Sequence, residues 1–356
     1  MAATTIANLW VPDIWIRTLN EKVNTLPSLI NSPIVRRTGE FDALAEGGGQ
    51  TVNLPYFRDI SNTRSVIQIE GTQPTLNNLT SGKQYAPVLN RALPYGVSAL
   101  SAAVIGSGET PVENLLGQLA INKQKDRQAT MVNILRGIFG FSNAPGGAGA
   151  LSAVRNDVFS ETGATPPPNQ CISPYNVADT IAALGELADT TLGGGILMHP
   201  LIRAALIKQD QISFKHYSEQ SGALLTGDAV SSNQMEYYKG YRVFVSNLLQ
   251  RAGGVSGYVF DTYIFAPGVF AWGEKAQKDG TLVADVASLS LYPNPQLNQI
   301  EIYDRSRFLI HPNGLKWGGA PAGQSAADSE LAVAGNWTLD YASADRVGIV
   351  CLRSNG

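Results

Sequence analysis

The clearest structural signal in the sequence is the stretch GSGETPVENLLGQLAINKQKDRQATMVNILRGIFG at residues 106–140. Thr110 can cap a helix, Pro111 suits the first helical position, and Glu113 completes a Thr-x-x-Glu capping box. The glycine that ends the stretch is a natural stop. The sequence therefore predicts a helix over residues 110–139, about 42 Å long.

The apolar residues of this helix cluster near its two ends, whereas its middle, NKQKDRQ at 122–128, is polar on all sides. Such a pattern predicts a helix that packs through both ends and leaves its middle in water. A helix of this kind suits a thin protein layer better than a globule.

Two extended segments flank a polar tip upstream of the helix. In QTVNLPYF (50–57), apolar and polar residues alternate, which is the period-two pattern of a strand. The run QYAPVLNRALPYGV (84–97) again reads as extended. The two segments predict a long ribbon, about 40 Å if a dozen residues per side are extended. Because an isolated two-stranded ribbon is marginal in water, we expect it to be stable only when it lies on another subunit.

The rest of the chain reads as an arm and an α/β unit. Residues 1–46 hold short apolar patches broken by prolines, which indicates an arm that lies on something else. A capped helix from Ser173, the short strand ILMH, a helix from Pro200 and several apolar strands then alternate, as in a compact α/β unit. Further strands are predicted at 299–317 and 345–352. The predicted fold class is therefore α+β.

Composition narrows the classes of function. The 356 residues include 26 Lys and Arg against 29 Asp and Glu, which argues against tight binding of nucleic acid through the overall field. Only 15% of the residues are charged, which suggests that much polar surface faces other chains. Cys171 and Cys351 lack the spacing of a metal site and read as reduced thiols. The sequence contains no signal-peptide pattern, transmembrane window or hydrolase motif. We expect neither an enzyme nor a cofactor.

Three parts of the chain carry a resemblance to a known family. They are SGKQYAPVLNRALPYGVSALSAAVIGSGETPVENLL (81–116), GGGILMHPLIRAALIKQDQISF (193–214) together with MEYYKGYRVFVSN (235–247), and RFLIHPNGLKW (307–317). In order and spacing they resemble the tailed-bacteriophage major capsid proteins of the Johnson fold, named after phage Hong Kong 97. The resemblance spans nearly the whole chain.

The resemblance implies a division of the chain into regions. These are an N-terminal arm at 1–48, an extended β loop at 49–96, a peripheral domain at 97–171 with the spine helix at 110–139, an axial α/β domain at 172–300, and a return to the peripheral domain at 301–356. The chain begins at Met1 without the long charged helical prefix that some members cleave. We therefore expect no maturation by cleavage and a separate scaffolding protein.

The function implied by the resemblance is structural. It is self-assembly of pentamers and hexamers into an icosahedral shell around phage double-stranded DNA. The expected partners are scaffolding, portal and decoration proteins. We expect no contact with a membrane. The expected location is the virion, after assembly in the host cytoplasm. The alternatives are an encapsulin-type compartment of the same fold and, from another class, a self-cross-linking capsid enzyme.

The candidate functional residues are mostly basic. Lys123, Lys125 and Arg127 form the sharpest basic cluster, which we interpret as a solvated helix face. The alternatives are a salt-bridge site for a neighbouring subunit and a contact with the genome. Further candidate inter-subunit contacts are Arg36, Arg37, Lys83, Tyr85, Arg305 and Arg307. The arginine pairs at 36–37 and around Asp304 are interpreted as inter-subunit ion-pair partners, which set geometry more than affinity.

No histidine is expected to be catalytic, because His199, His216 and His311 are isolated in the sequence. Some members of the family join a loop lysine to an asparagine of a neighbour, with a glutamate as base. Lys83 is the one lysine in the loop here, and the candidate acceptors are Asn313 and Asn336. The reaction needs a neutral amine, whereas a polar tip keeps a lysine charged. We therefore expect no covalent cross-link.

Overall fold

The computed structural model describes residues 29–47, 49–57, 67, 70–71, 81–98, 111–140, 149–159, 168–188, 193–209, 214–218, 224–225, 234–249, 258–279 and 285–355. The first part of the predicted arm, most of the ribbon tip and the predicted cap Thr110 lie outside these residues.

The described residues form strands and helices in the following order. The strands are β1 Val35–Arg37, β2 Thr51–Phe57, β3 Ser81–Ser98, β4 Arg155–Asp157, β5 Gly195–Met198, β6 Phe214–Ser218, β7 Leu224–Leu225, β8 Gln234–Tyr238, β9 Tyr241–Val245, β10 Val259–Phe265, β11 Phe270–Glu274, β12 Lys278–Asp279, β13 Ser288–Asn294, β14 Gln299–Pro312, β15 Leu315–Trp317, β16 Trp337–Leu339 and β17 Ile349–Asn355. The helices are α1 Gly39–Glu46, α2 Pro111–Phe139, α3 Pro174–Ala182, α4 Pro200–Gln209 and α5 Asp328–Leu331.

The first sheet is organised around the long strand β14. One edge of β14 pairs with antiparallel β3, and its other edge pairs first with β13 and then with β11. β1 adds to β11 and β12 adds to β13, both in parallel, while β2 pairs with the part of β3 that extends beyond β14. The antiparallel strand pair β15–β16 lies next to β3.

Helices cover both faces of the first sheet. Helix α2 packs on one face, where its buried residues join a core that includes Phe308 and Trp272. Helix α1 packs on the other face over β11 and β14. It approaches so closely that a Cβ at Gly273 would overlap the Phe41 carbonyl. Each face of β14 therefore meets a different helix.

The second sheet has eight strands in the order β4-β17-β10-β5-β9-β8-β6-β7. The central strand β10 is buried along its whole length. Helix α3 lies on β17, and its N-cap Ser173 accepts a hydrogen bond from the Asn176 amide, as its sequence predicts. Residues of both sheets and of α2 share one continuous apolar core.

Several predicted elements are confirmed. The long helix runs from Pro111 to Phe139, and Gly140 follows it with a left-handed φ of 75°, which glycine adopts at low cost. The two ribbon strands, the ILMH strand, the helix from Pro200 and the final strand are present.

Two expectations are wrong. The middle of α2 is not bare, because Lys123, Gln124 and Arg127 are buried there. The predicted ribbon strand at 84–97 is also not free along its length, because residues 88–98 of β3 pair with β14 of the same chain. The expectation that the two-stranded part formed by β2 and β3 is stable only on another subunit stays a prediction.

The sheets also cross the predicted region boundaries. β11 and β13, inside the predicted axial region 172–300, belong to the first sheet. β17, inside the predicted return 301–356, belongs to the second sheet. The assignment of regions to domains of an assembled particle stays a prediction.

Candidate functional site

A cluster of four charged side chains joins α2 to the first sheet. The Lys123 ammonium lies 3.3 Å from a carboxylate oxygen of Asp304 and 4.0 Å from one of Glu274. The Arg127 guanidinium pairs with the same Glu274 carboxylate, and the amide of Gln277 donates to Asp304. We call these five residues the helix–sheet charge cluster.

Local geometry explains why these side chains meet. Lys123 and Arg127 are four residues apart and therefore share one face of the helix. Asp304 lies on β14 and Glu274 lies on β11, two strands that pair side by side. The Arg127 guanidinium also lies 4.9 Å from the centre of the Trp272 ring and 5.8 Å from that of Phe308. These distances are within the range of cation–π attraction.

The helix–sheet charge cluster is largely removed from water. The side chains of Lys123 and Asp304 are 3% and 1% exposed. Two cations face two anions, so the charges balance inside the chain. This arrangement fixes the position of α2 on the sheet, since any slip would leave a buried charge without its partner.

The interpretation of Lys123 and Arg127 as part of a solvated face is therefore wrong, and neither residue is available to a neighbouring subunit or to the genome. Their long aliphatic stems are buried against the sheet, and their charged groups meet acidic partners of the same chain. Lys125 points away and is exposed. Of the three basic residues, Lys125 alone fits the surface interpretation.

Arg307 is also an internal residue rather than an inter-subunit one. Its guanidinium donates to the carbonyls of Ala45, Gly47 and Gly49, and its side chain is buried. These carbonyls lie at and just beyond the C-terminal end of α1, where helical carbonyls lack helical partners. Arg307 thus caps α1 and holds it on β14. The expectation of an inter-subunit ion pair at Arg307 is wrong for this reason.

Arg305 and the arginines of β1 are more accessible. Arg305 is partly exposed, lies 5.2 Å from the Tyr303 ring centre and donates to the Ser290 hydroxyl at 3.4 Å. Arg36 is exposed on β1. Arg37 is half exposed and pairs with Asp42 of its own chain at 3.4 Å. All three side chains reach solvent.

The ribbon separates its candidate residues by strand alternation. Lys83 and Tyr85 point to solvent, whereas Gly82 and Gln84 point inward. The sequence predicts a polar tip around Lys83, but Lys83 lies within β3 opposite Pro55. Sequence reasoning did not single out Gln84, although the period-two pattern places it on the inward side.

The outer edge of β2 is unpaired by any described strand, and Pro55 lies on it. The Val88 amide donates to the Gln50 carbonyl. With the register Thr51 opposite Pro87, antiparallel alternation turns the nitrogen of Pro55 away from β3. Proline has no amide hydrogen, so this edge lacks one donor.

Two histidines have lowered pKa values. Burial lowers the pKa of His311 to about 4, and its Nε2 hydrogen is donated to the Leu315 carbonyl at 2.8 Å. Burial also lowers the pKa of His199. The side chain of His216 is not described. In the described residues, no group of three or more His, Cys, Asp or Glu side chains is placed to hold a metal ion.

One carboxyl group has a raised pKa. Burial and the nearby Asp328 carboxylate raise the pKa of Asp126. Asp328 itself accepts hydrogen bonds from Arg91 and Thr130. These groups attach α5 to α2 and to the ribbon strand β3.

Comparison with known proteins identifies what this architecture is similar to. The chain is 24% identical over 345 residues to the major capsid protein of Bacillus phage SPP1, and the match covers 96% of this chain and 95% of that protein. No family model matches the chain.

Two solved structures with a similar fold are phage capsids. The capsid of Ralstonia phage GP4 has a TM-score of 0.54 at 9% identity and covers 92% of this chain and 91% of that chain. The Cyanophage Pam1 capsid asymmetric unit has a TM-score of 0.50 at 12% identity and covers 91% of each chain. These similarities confirm the predicted α+β fold.

Among helices in the described part of the chain, none has the length and apolarity that crossing a bilayer requires.

Proposed function

We propose that this chain, which has the fold of phage capsid proteins, is the major capsid protein of a tailed bacteriophage. It assembles into the icosahedral shell of the phage head, which encloses double-stranded DNA. The observation that carries the proposal is the match to a phage major capsid protein along almost the whole length of both chains. The match leaves out only a small part of either chain.

The proposed roles of the two sheets follow from their connections. The first sheet, with α2 across one face, forms the peripheral domain, from which the ribbon projects through β2 and β3. The second sheet, including β4 and β17, forms the axial domain of pentamers and hexamers. Closed shells of this kind use repeated modest interfaces, so no single contact has to be strong.

The accessible candidates are proposed contacts between subunits. Lys83 and Tyr85 lie on the outward face of the ribbon, and Arg36, Lys125 and Arg305 reach solvent elsewhere. Arg37 joins this set as a half-exposed cation on the edge strand β1. Rim charges of this sort orient neighbours and speed their encounter more than they increase affinity.

The remaining partners are proposed on the same basis. A scaffolding protein guides assembly in the host cytoplasm, a portal protein occupies one vertex, and decoration proteins bind the outer surface. The shell encloses DNA without sequence-specific binding, and the formal charge of −3 provides no strong overall attraction for phosphate. The role is structural rather than enzymatic.

Electron microscopy of the protein expressed with its scaffold tests the proposal. We expect closed shells with pentamers and hexamers. A monomer peak in light scattering under every assembly condition would refute it. Shells that enclose protein cargo, and contain no DNA when made in infected cells, would instead identify an encapsulin-type compartment.

A ribbon variant provides a second test. Replacement of residues 60–82 by a short Gly/Ser turn should leave a folded subunit that does not assemble. Circular dichroism measures the folding of the variant, and sedimentation measures its assembly. Normal shells from this variant would show that the ribbon does not clasp neighbours.

A further inference from the structure

The base of the ribbon is attached to its own subunit by inward-pointing side chains. Leu54 pairs with Gln84 and Tyr56 pairs with Gly82 in the ladder of β2 and β3. Gln84 is only 4% exposed, an unusual position for a polar residue of a ribbon. Its surroundings therefore must satisfy its amide.

Gln84 makes two hydrogen bonds that join the ribbon to the strand pair β15–β16. Its carbonyl oxygen accepts the Gly314 amide hydrogen at 3.1 Å. Its amide group donates to the Tyr341 hydroxyl. Burial raises the pKa of Tyr341, and the hydrogen bond from Gln84 opposes this rise. One side chain thus binds both the turn before β15 and the segment after β16.

Tyr56 makes the second attachment on the other ribbon strand. Its ring meets the Tyr341 ring edge-on, with 5.6 Å between ring centres and 61° between planes. Its hydroxyl donates to the Asp340 carbonyl at 3.4 Å. Edge-to-face aromatic pairs add a geometric preference to the contact area. Both ribbon strands are therefore held by the same short segment.

Two glycines permit this close approach. A Cβ at Gly82 would overlap the Tyr56 ring, and a Cβ at Gly314 would overlap the Tyr341 ring. Gly314 also has a φ of 86°, a backbone conformation that residues with a side chain rarely adopt. The local sequence is thus fitted to this contact from both sides.

We propose that Tyr56 and Gln84, bound to Gly314 and Tyr341, set the direction in which the ribbon leaves the subunit. We call these four residues the ribbon-base contact. They are positioning residues for the contact between the ribbon and a second copy of this chain. The inference rests on the proposed capsid function, because only an assembled shell uses the direction of the ribbon.

A small change of angle at the ribbon base produces a large displacement at the far end of the ribbon. Residues 58–80 connect β2 to β3. A chain segment of this length that leaves the base and returns to it can extend at most roughly 40 Å from the base. A tilt of about 10° at the base would displace the far end by up to roughly 7 Å at that reach. Such a displacement exceeds the width of a side chain, so the ribbon would miss its site on the neighbour.

Spin labels measure the direction of the ribbon in the unassembled, full-length chain. One label is placed at Ile67→Cys, which is 86% exposed, and the other at Ser329→Cys, which is exposed on α5. Cys171→Ser removes the partly exposed native thiol, while Cys351 is buried. Double electron–electron resonance then gives the distribution of distances between the labels.

The test variants are Gln84→Met, which keeps the side-chain length but loses both hydrogen bonds, and Tyr341→Phe, which keeps the ring but loses the hydroxyl. The matched control is Thr51→Val, which is exposed on the ribbon and outside the ribbon-base contact. We expect the distance distribution to be at least twofold wider in both test variants than in the parent chain and the control. Circular dichroism should show the same secondary structure in all of them.

Equal widths of the distance distribution in the parent chain and both test variants would overturn the inference. The same variants are then expressed with the scaffold. Misshapen or open shells, with normal shells from Thr51→Val, support the positioning role, whereas normal shells from every variant would overturn it. Absence of shells from the parent chain would instead refute the proposed function, and the label measurement would still stand.

Discussion

Removal of one cation from the helix–sheet charge cluster should destabilise the subunit strongly. In Lys123→Met, the apolar stem is retained while Asp304, whose side chain is 1% exposed, loses its ammonium partner. Breaking a buried ion pair from one side costs roughly 3–5 kcal/mol. Gln277 still donates to Asp304, and Arg127 still pairs with Glu274. We therefore expect the lower end of that range, about 3 kcal/mol.

The expected change in melting temperature follows from the size of the chain. An unfolding entropy of about 2 cal/mol/K per residue gives roughly 0.7 kcal/mol/K for the whole chain. A loss of about 3 kcal/mol then lowers Tm by about 4 °C. Thermal and urea unfolding of the unassembled chain, followed by circular dichroism, measures both quantities.

Two further variants make the argument refutable. Lys125→Met removes an exposed charge two residues away and should change stability by less than about 0.5 kcal/mol. The double variant Lys123→Met with Asp304→Leu removes both charges and should regain most of the loss, since a buried ion pair can often be replaced by apolar residues. Equal melting of the Lys123 and Lys125 variants would show that the cluster does not hold α2.

Three other outcomes are expected. The folded-state pKa of His311 is about 4, below the unfolded value of about 6.5. The unfolded chain therefore binds the proton more readily, and stability should fall as pH decreases from about 6.5 to about 4, by up to about 3 kcal/mol. Urea unfolding across this range should show a weaker pH dependence in His311→Gln, and an unchanged one would contradict the assignment. Pro55→Thr restores an outward amide on the edge of β2, so light scattering should detect more self-association than in the parent chain. Equal scattering would show that this edge is protected in another way. Mature shells boiled in detergent should give one band at the mass of a single chain, since Lys83 is exposed and Asn313 and Asn336 donate to backbone carbonyls of their own chain. A ladder of multimers that disappears in Lys83→Ala would refute this.

Local patterns predicted the elements whose causes are local. Pro111 and the final glycine mark the ends of α2, and alternation in residues 50–57 marks β2, because capping and strand period depend on neighbouring residues. The order of these elements along the chain was sufficient for the resemblance to phage capsid proteins.

The charge cluster could not be predicted in the same way. Glu274 is 147 positions from Arg127, and Asp304 is 181 positions from Lys123, so no spacing signals the contact. A polar helix middle normally indicates solvent, and here tertiary pairing reverses that meaning. The spacing of Lys123 and Arg127 on one helix face was the available signal, but it is shared by many exposed pairs.

The sheet to which the last strand belongs could not be predicted for a related reason. β17 begins with the apolar run 349–352, which could complete either sheet, and its register with β10 depends on contacts that the sequence does not reveal. Arg353 within β17 is fully buried and pairs with Asp261 of β10 at 3.2 Å. A charged residue directly after an apolar run was the one indication of a specific internal partner.

The ladder between β3 and β14 determines how the subunit responds to tension. The ribbon continues the axis of β3, so a pull on the ribbon acts along the strands and loads the whole ladder from Val88–Leu309 to Ser98–Gln299 in shear. Hydrogen bonds loaded in this way must break together rather than one after another. β14 is also tied to α1 through Arg307 and to α2 through Asp304. A shell under internal pressure should therefore stretch its ribbons beyond the base before any ribbon separates from its subunit.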